Sequence, residues 1–114
     1  MSQLRFILAT IFLVVVGYTI PVIANHGMGL IPIFFGDIAK MEWPGQFNLD
    51  FLGFLTLSGL WIAWRNDFTS KGLALGVLGL FLGAPFLSAY LLYESRSCGE
   101  DFSLLFLGPS RAGR

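Results

Sequence analysis

The stretch M-E-W-P-G-Q-F-N-L-D-F, residues 41–51, is the longest polar and turn-forming passage in an otherwise apolar sequence. Pro44-Gly45 is a turn signal, and Asn48 is a residue type that favours the N-cap of a helix. Asp50 would then lie in the first turn, where a carboxylate favours the positive end of the helix dipole. Trp43 is an amphipathic ring of the kind found at membrane–water interfaces. The stretch predicts an ordered loop that leads into a helix, with Trp43, Asn48 and Asp50 as its cap or as a possible ligand site.

The composition on both sides of this stretch is typical of a membrane protein. Of the 114 residues, 55% are hydrophobic and 12% are charged, whereas soluble domains average about 25% charged residues. Seven basic and seven acidic residues balance to zero net charge, so no basic patch indicates nucleic-acid binding. We expect a single integral membrane domain over residues 1–114, with the lipid bilayer as a partner and no nucleic acid.

Three apolar segments are candidates for membrane spans. Residues 5–23 include an uncharged run just long enough to cross the hydrocarbon core, and a cleaved signal peptide is the alternative. Residues 48–65 end in W-I-A-W-R (61–65), an aromatic and cationic anchor typical of a membrane boundary. Residues 72–93 carry no charge at all. The sequence predicts an all-α membrane protein with three transmembrane helices over these ranges and a structured loop between the first two.

Four glycines recur along the third predicted helix at steps of four, three and four residues: Gly72, Gly76, Gly79 and Gly83. At about 100° per residue they fall on one stripe, and two of the gaps are G-x-x-x-G. Such a stripe lets another helix backbone approach closely in lipid. We expect these glycines to form a helix-packing face toward the first helix, the second helix or another copy. Pro85 lies opposite the stripe and predicts a kink of the kind that membrane helices tolerate.

Residues 94–114 read as a polar or interfacial tail. Its apolar run, residues 102–107, would rest either on the membrane surface or against a partner. Three spans place the two termini on opposite sides, and the distribution of basic residues near the span ends favours a cytoplasmic N-terminus and an external C-terminus. Cys98 would then be external, as a free thiol or, alternatively, in an intermolecular disulfide.

Few residues could carry chemistry. The candidates for acid–base catalysis are His26, Asp37, Glu42 and Asp50. Catalysis would need two of them to converge, and their spacing does not require that. His26 with a methionine could ligate haem iron, but an ordinary loop histidine is the simpler interpretation. For transport, intramembrane polar residues beside a short helix are needed, and Asn48 and Asp50 are the best available.

Three motifs resemble those of a group of uncharacterised small bacterial membrane proteins with one span, a polar loop and a helical hairpin. The motifs are F-F-G-D-I (34–38), W-P-G-Q-F-N-L-D-F (43–51) and L-W-I-A-W-R (60–65). The resemblance implies a location in the bacterial inner membrane and carries over no catalytic residues. Any cofactor is left open, because small apolar helices bind hydrophobic cofactors without a motif. We therefore expect a non-enzymatic protein that acts by helix packing, either as an accessory subunit of a membrane complex or as a homo-oligomer. The alternative is an oligomeric transporter or channel for a small solute, using Asn48 and Asp50.

Overall fold

The computed structural model describes residues 1–112, in which all regular structure is helical. Six helices follow one another within that range: α1 (Ser2–His26), α2 (Leu30–Ala39), α3 (Trp43–Arg65), α4 (Ser70–Leu82), α5 (Ala84–Ser95) and α6 (Phe102–Leu107). The predicted all-α class is confirmed. Among the described helices, only α1 and α3 are long and apolar enough to cross a membrane, so the prediction of three spans is wrong.

The third predicted span is broken at Gly83 into α4 and α5. Gly83 ends α4 and precedes α5 with a φ of 70° and a ψ of −143°, in the left-handed half of conformational space that favours glycine. Pro85 then lies in the first turn of α5, where its missing N–H has no helical partner to lose. The 13 residues of α4 and the 12 of α5 each extend about 20 Å, which is less than the ~30 Å thickness of a hydrocarbon core. The predicted kink is therefore a complete break.

The two halves form a hairpin that returns to the end at which it started. Asn66 lies just after α3, and its side chain contacts Gly72 at the start of α4. The same side chain donates a hydrogen bond from Nδ2 to the hydroxyl of Tyr90, in the second half of α5, at 2.9 Å, and Glu94 in its last turn lies 3.7 Å from Arg65. The start of α4 and the end of α5 thus both lie beside Arg65, and we refer to this part of the molecule as the arginine end.

Both terminal segments also lie at the arginine end. Arg5, in the first turns of α1, donates from Nε to Ser95 Oγ at 3.1 Å and from Nη2 to the Ser95 carbonyl at 2.9 Å. The amino group of Met1 contacts the carboxylate of Glu100. The N-terminal segment and the chain after α5 therefore lie at the same end of the molecule, because the α4–α5 hairpin turns back at Gly83.

The opposite end of the molecule, which we call the far end, contains α2 and the start of α3. Most of the predicted loop is helical, because residues 30–39 form α2. Helix α3 begins at Trp43, with Glu42 as its N-cap and Pro44 in its first turn. Proline is favoured at that position, so the Pro-Gly pair starts a helix here instead of turning the chain. Asn48 consequently lies inside α3, and its predicted role as N-cap is wrong.

Candidate functional site

Among the described residues the one buried charged side chain is that of Arg65, the last residue of α3, which is 4% exposed. Its Nε donates to the Leu105 carbonyl at 2.6 Å, Nη1 to the Tyr90 hydroxyl at 3.1 Å and Nη2 to the Leu104 carbonyl at 3.4 Å. The Glu94 carboxylate lies 3.7 Å from Nη2. Every nitrogen of the buried guanidinium therefore has an acceptor, as a buried charge requires. We call Arg65, Tyr90, Glu94, Leu104 and Leu105 the Arg65 cluster.

The cluster caps the C-terminal end of α6. The last four carbonyls of a helix have no partner inside that helix, and a cation is favoured beside them. Here Arg65 donates to two of these carbonyls, and Trp61 donates from Nε1 to a third, that of Phe106, at 3.1 Å. Trp61 and Arg65 are one turn apart on α3, so both side chains reach the same end of α6. They were predicted to anchor α3 at the membrane boundary, but in the structure they are bound to α6.

The chain after α6 is held to the same end of α3. Gly108 has a φ of 85°, and a Cβ at this position would lie 2.6 Å from the Arg65 carbonyl oxygen. The Arg111 guanidinium lies over the Trp64 ring, 4.2 Å from its centroid, and its Nη1 is 2.8 Å from an Asp67 carboxylate oxygen. Ser110 donates to the same carboxylate. Residues 102–112, which we call the tail, are thus part of the fold and pack against α3 of the same chain, an arrangement that neither of the two predicted alternatives included.

The local sequence contains signals for α6, although not for where it packs. Asp101 is the N-cap and accepts a hydrogen bond from the Leu104 amide at 3.1 Å, while Gly108 ends the helix. An Asp before an apolar run and a Gly after it are ordinary helix boundary signals. The contact with Arg65 joins residues 40 positions apart, and no sequence periodicity reports such a contact.

The glycines of the predicted stripe pack against the same chain, and mostly against α3. A Cβ at Gly76 would lie 2.7 Å from the Gly59 carbonyl oxygen, and one at Gly79 would lie 2.8 Å from Ile62 Cδ1. Gly72 packs instead against the turn after α3, at Asn66, and Gly83 lies near the Phe51 ring.

Trp43, Asn48 and Asp50 do not converge on one site. The Trp43 side chain is 71% exposed and stands 6.0 Å from the Phe47 ring, centroid to centroid. Asn48 donates from Nδ2 to the Phe34 carbonyl at 3.1 Å and so joins α3 to α2. Asp50, two residues further on, is exposed and has no ion pair or hydrogen bond of its side chain among the described residues. The last turn of α2 packs closely on α3 nearby, because a Cβ at Gly45 would overlap the Asp37 carbonyl.

No family model, curated protein or solved structure matches this chain. The resemblance to small bacterial membrane proteins therefore stays a prediction.

The other candidates for chemistry lie apart from one another. Among residues 1–112, no group of three His, Cys, Asp or Glu side chains could hold a metal ion. His26 ends α1 at the far end, whereas Cys98 is buried at the arginine end, with its Sγ 3.2 Å from the Glu94 carbonyl oxygen. The Glu100 carboxyl accepts a hydrogen bond from the Met1 amino group, and that bond together with the positive charge holds the pKa of Glu100 below its ordinary value of 4.5.

Two apolar grooves run along α3. The α3–α4 groove, of about 210 Å³, is lined by Thr56, Gly59, Leu60, Ala63, Leu73, Gly76, Val77 and Leu80. The α3–α5 groove, of about 440 Å³, is lined by Phe51, Phe54, Leu55, Leu57, Ser58, Trp61, Gly83, Ala84 and Leu87. Ser58 Oγ is buried without a hydrogen-bond partner among the described residues. Both linings suit apolar groups, and neither brings a nucleophile together with a base.

Proposed function

We propose that this is a non-enzymatic integral membrane protein that acts by helix packing, as an accessory or stabilising subunit of a larger membrane assembly or as a homo-oligomer. One observation carries the proposal. In the most apolar 18-residue window of α1 only 6% of the residues are buried within the chain, and in that of α3 only 17%. Exposing apolar surface to water costs about 25 cal/mol per Å². Lipid and other helices are the surroundings that cover such surfaces without that cost.

The weak internal packing of α1 supports a role in assembly. Among the elements of the described chain, α1 packs extensively on α5 alone, and α5 is less than half as long as α1. Leu8 is the one residue of α1, past its N-cap, that is buried. Large side chains such as Phe6 and Tyr18 remain more than 70% exposed. A helix with so few partners of its own provides a long surface for the helices of another subunit.

The α3–α4 groove is the surface that best suits a second helix. Its floor is made of the small residues Gly59, Ala63 and Gly76, and small residues at an interface let helix backbones approach closely in lipid. Its rim is made of exposed apolar side chains, with Leu60 56% and Val77 53% exposed. A ridge of side chains from a neighbouring helix would fill this groove and bury the rim.

Native mass spectrometry after gentle detergent extraction from the source membrane tests the proposal. We expect the chain to be released with other subunits at fixed stoichiometry, or as a defined homo-oligomer. Val77→Trp would fill the groove and abolish that association. Leu78→Trp is the matched control, since Leu78 is the neighbouring residue, is 45% exposed and does not line the groove. Release of the chain only as a monomer, under conditions that keep known membrane complexes intact, would overturn the proposal.

We place the protein in a bacterial plasma membrane, with its N-terminus in the cytoplasm. The motifs quoted above support the bacterial location, and the two long apolar helices support insertion in a membrane. Extraction with alkaline carbonate checks the insertion, because an integral protein stays with the membrane pellet.

A transporter or channel is the second candidate, and Asp50 is the observation in its favour. Its carboxylate is exposed on a long apolar helix and has no partner among the described residues. Ionisable residues in such helices often serve solute pathways. Asn48 does not support this function as the sequence predicted, since its side-chain amide donates to the Phe34 carbonyl. If Asp50→Asn abolishes a solute flux and leaves the assembly intact, the transport function replaces the accessory one.

A further inference from the structure

The two ends of the molecule differ strongly in charge. Of the basic side chains in residues 1–112, five lie at the arginine end: Arg5, Arg65, Lys71, Arg96 and Arg111. Lys40 is the one at the far end, where it is accompanied by Asp37, Glu42 and Asp50. The sequence alone divided these basic residues almost evenly between two sides, because it assumed a third crossing. The hairpin brings them to one end.

The acidic side chains at the arginine end are engaged by groups of the protein itself. Asp67 pairs with Arg111, and Glu100 with the Met1 amino group. Glu94 lies beside Arg65, and Asp101 caps α6. Because these carboxylates are already engaged, they neutralise less of the positive charge on the other basic side chains.

Arg5, Lys71 and Arg96 form no ion pair within the described chain, but Arg5 is engaged by Ser95. Lys71, in the first turn of α4, is exposed and forms no ion pair there. Arg96, just after α5, is also exposed. Its Nε donates to the Tyr93 carbonyl at 3.2 Å, and its guanidinium lies 4.2 Å from the centroid of the Tyr93 ring. Both side chains are therefore free to bind an external anion.

Aromatic side chains at the same end have the composition of a membrane interface. Tyr93 is 63% exposed, Phe102 47% and Phe106 38%. Phe102 and Phe106 stack on each other along α6, with centroids 6.3 Å apart. Aromatic rings beside lysine and arginine are characteristic of the headgroup region of a bilayer. Since the tail is tied to Arg65, α6 is held at the depth at which α3 ends.

We propose that the arginine end is a binding surface for anionic lipid headgroups, with Lys71 and Arg96 as its free cations, and that it faces the cytoplasmic leaflet. Anionic lipids give this leaflet its negative surface potential, and basic residues near span ends favour the cytoplasmic side. Both terminal segments then lie in the cytoplasm. The α4–α5 hairpin enters the membrane from that side, reaches about 20 Å deep and returns. The inference rests on the membrane insertion proposed above.

Reporter fusions in bacterial cells test the orientation. A fluorescent protein that matures only in the cytoplasm should be bright when fused to either terminus, and alkaline phosphatase at the C-terminus should be inactive. In a Cys98→Ser background, Met41→Cys at the far end should react with a membrane-impermeant maleimide added to intact cells. Ser97→Cys, exposed at the arginine end, should react only after the cells are opened. Active phosphatase at the C-terminus, or external labelling at residue 97, overturns the inference.

Lipid binding is tested on the full chain in nanodiscs of phosphatidylcholine and phosphatidylglycerol, by counting the phosphatidylglycerol retained in native mass spectra. Each basic residue near an anionic surface contributes about 1 kcal/mol, so Lys71→Ala or Arg96→Ala should each weaken retention about five-fold. Lys40→Ala at the far end is the matched control and should change nothing. Equal losses for Lys40→Ala and Lys71→Ala, or no loss for any variant, overturn the lipid surface.

Failure of this inference can be told apart from failure of the proposed function. If the chain is released from membranes by alkaline carbonate, insertion itself is wrong and the proposed function falls with it. If the chain stays in the membrane pellet while its C-terminus is outside, the accessory function stands and only the orientation and its lipid surface fail.

Discussion

Gly59 and Gly76 face each other where α3 and α4 cross, and a Cβ on either residue would lie 2.7 Å from the carbonyl oxygen of the other. The contact is reciprocal and is made by backbone atoms, which cannot move aside as a flexible side chain could. The two helices are therefore as close here as their backbones permit. Their separation depends on the absence of a side chain at both positions.

Replacing Gly76 by alanine should destabilise the protein, although alanine is the better helix former. The added methyl group would push α4 away from α3, and overpacking of this kind costs about 1–3 kcal/mol. The measurement is the midpoint of thermal unfolding in detergent. Gly53→Ala is the matched control: it lies inside α3 with open space around it, so it should gain about 0.5–1 kcal/mol. Equal midpoints for the two variants would contradict the close crossing.

Replacing Arg65 by methionine should release the tail from the bundle. The substitution leaves the Leu105 carbonyl without its side-chain donor, whereas the Leu104 carbonyl keeps its bond from the Gly108 amide. An unsatisfied buried polar group costs about 1–3 kcal/mol. Limited proteolysis should then cut within residues 98–112 faster than in the unmodified protein. Arg96→Met, which changes an exposed arginine, should leave the cleavage rate unchanged. If the tail of the Arg65 variant stays protected, Arg65 is not what holds α6.

Acid should weaken the contact between the N-terminus and Glu100. The folded-state pKa of Glu100 lies below its ordinary value of 4.5, because the Met1 amino group donates to the carboxylate. A lowered folded-state pKa means that the contribution to stability is present above 4.5 and is lost as the pH falls through the folded-state value. Glu100→Gln should therefore lower the unfolding midpoint at neutral pH and have no effect in strong acid. A difference that stays constant over this range would rule out the pairing.

The sequence predicts the helical class and the positions of α1 and most of α3, because long uncharged runs have few alternatives in a membrane. It misplaces the start of α3, since Pro44-Gly45 is a turn signal in one context and a helix start in another. Arg65 is a different case. Beside Trp64, at the end of an apolar helix, it has the features of an interface anchor. Its burial depends on a tail that folds back from 40 residues away, and only tertiary packing determines that.

In the proposed topology the break at Gly83 makes α4 and α5 a hairpin that does not cross the membrane, and its removal should change that topology. In the double variant Gly83→Ala/Pro85→Ala, the broken conformation places alanine at a φ of 70°, which costs about 1–2 kcal/mol. A continuous helix avoids that cost and gains the backbone hydrogen bond that proline, without an N–H, cannot donate. Residues 70–95 would then form one helix about 39 Å long, enough to cross the hydrocarbon core.

We expect this double variant to move the C-terminus to the other side of the membrane, so that a C-terminal alkaline phosphatase becomes active. Gly17→Ala/Pro21→Ala in α1 is the matched control. Pro21 lies inside a helix that it does not interrupt, and Gly17 has open space around it, so the topology should stay as it is. If the phosphatase stays inactive in the Gly83 variant, the local Gly-Ala-Pro sequence is not what keeps the hairpin closed. The contacts of Arg65 with the tail and of Arg5 with α5 then do so.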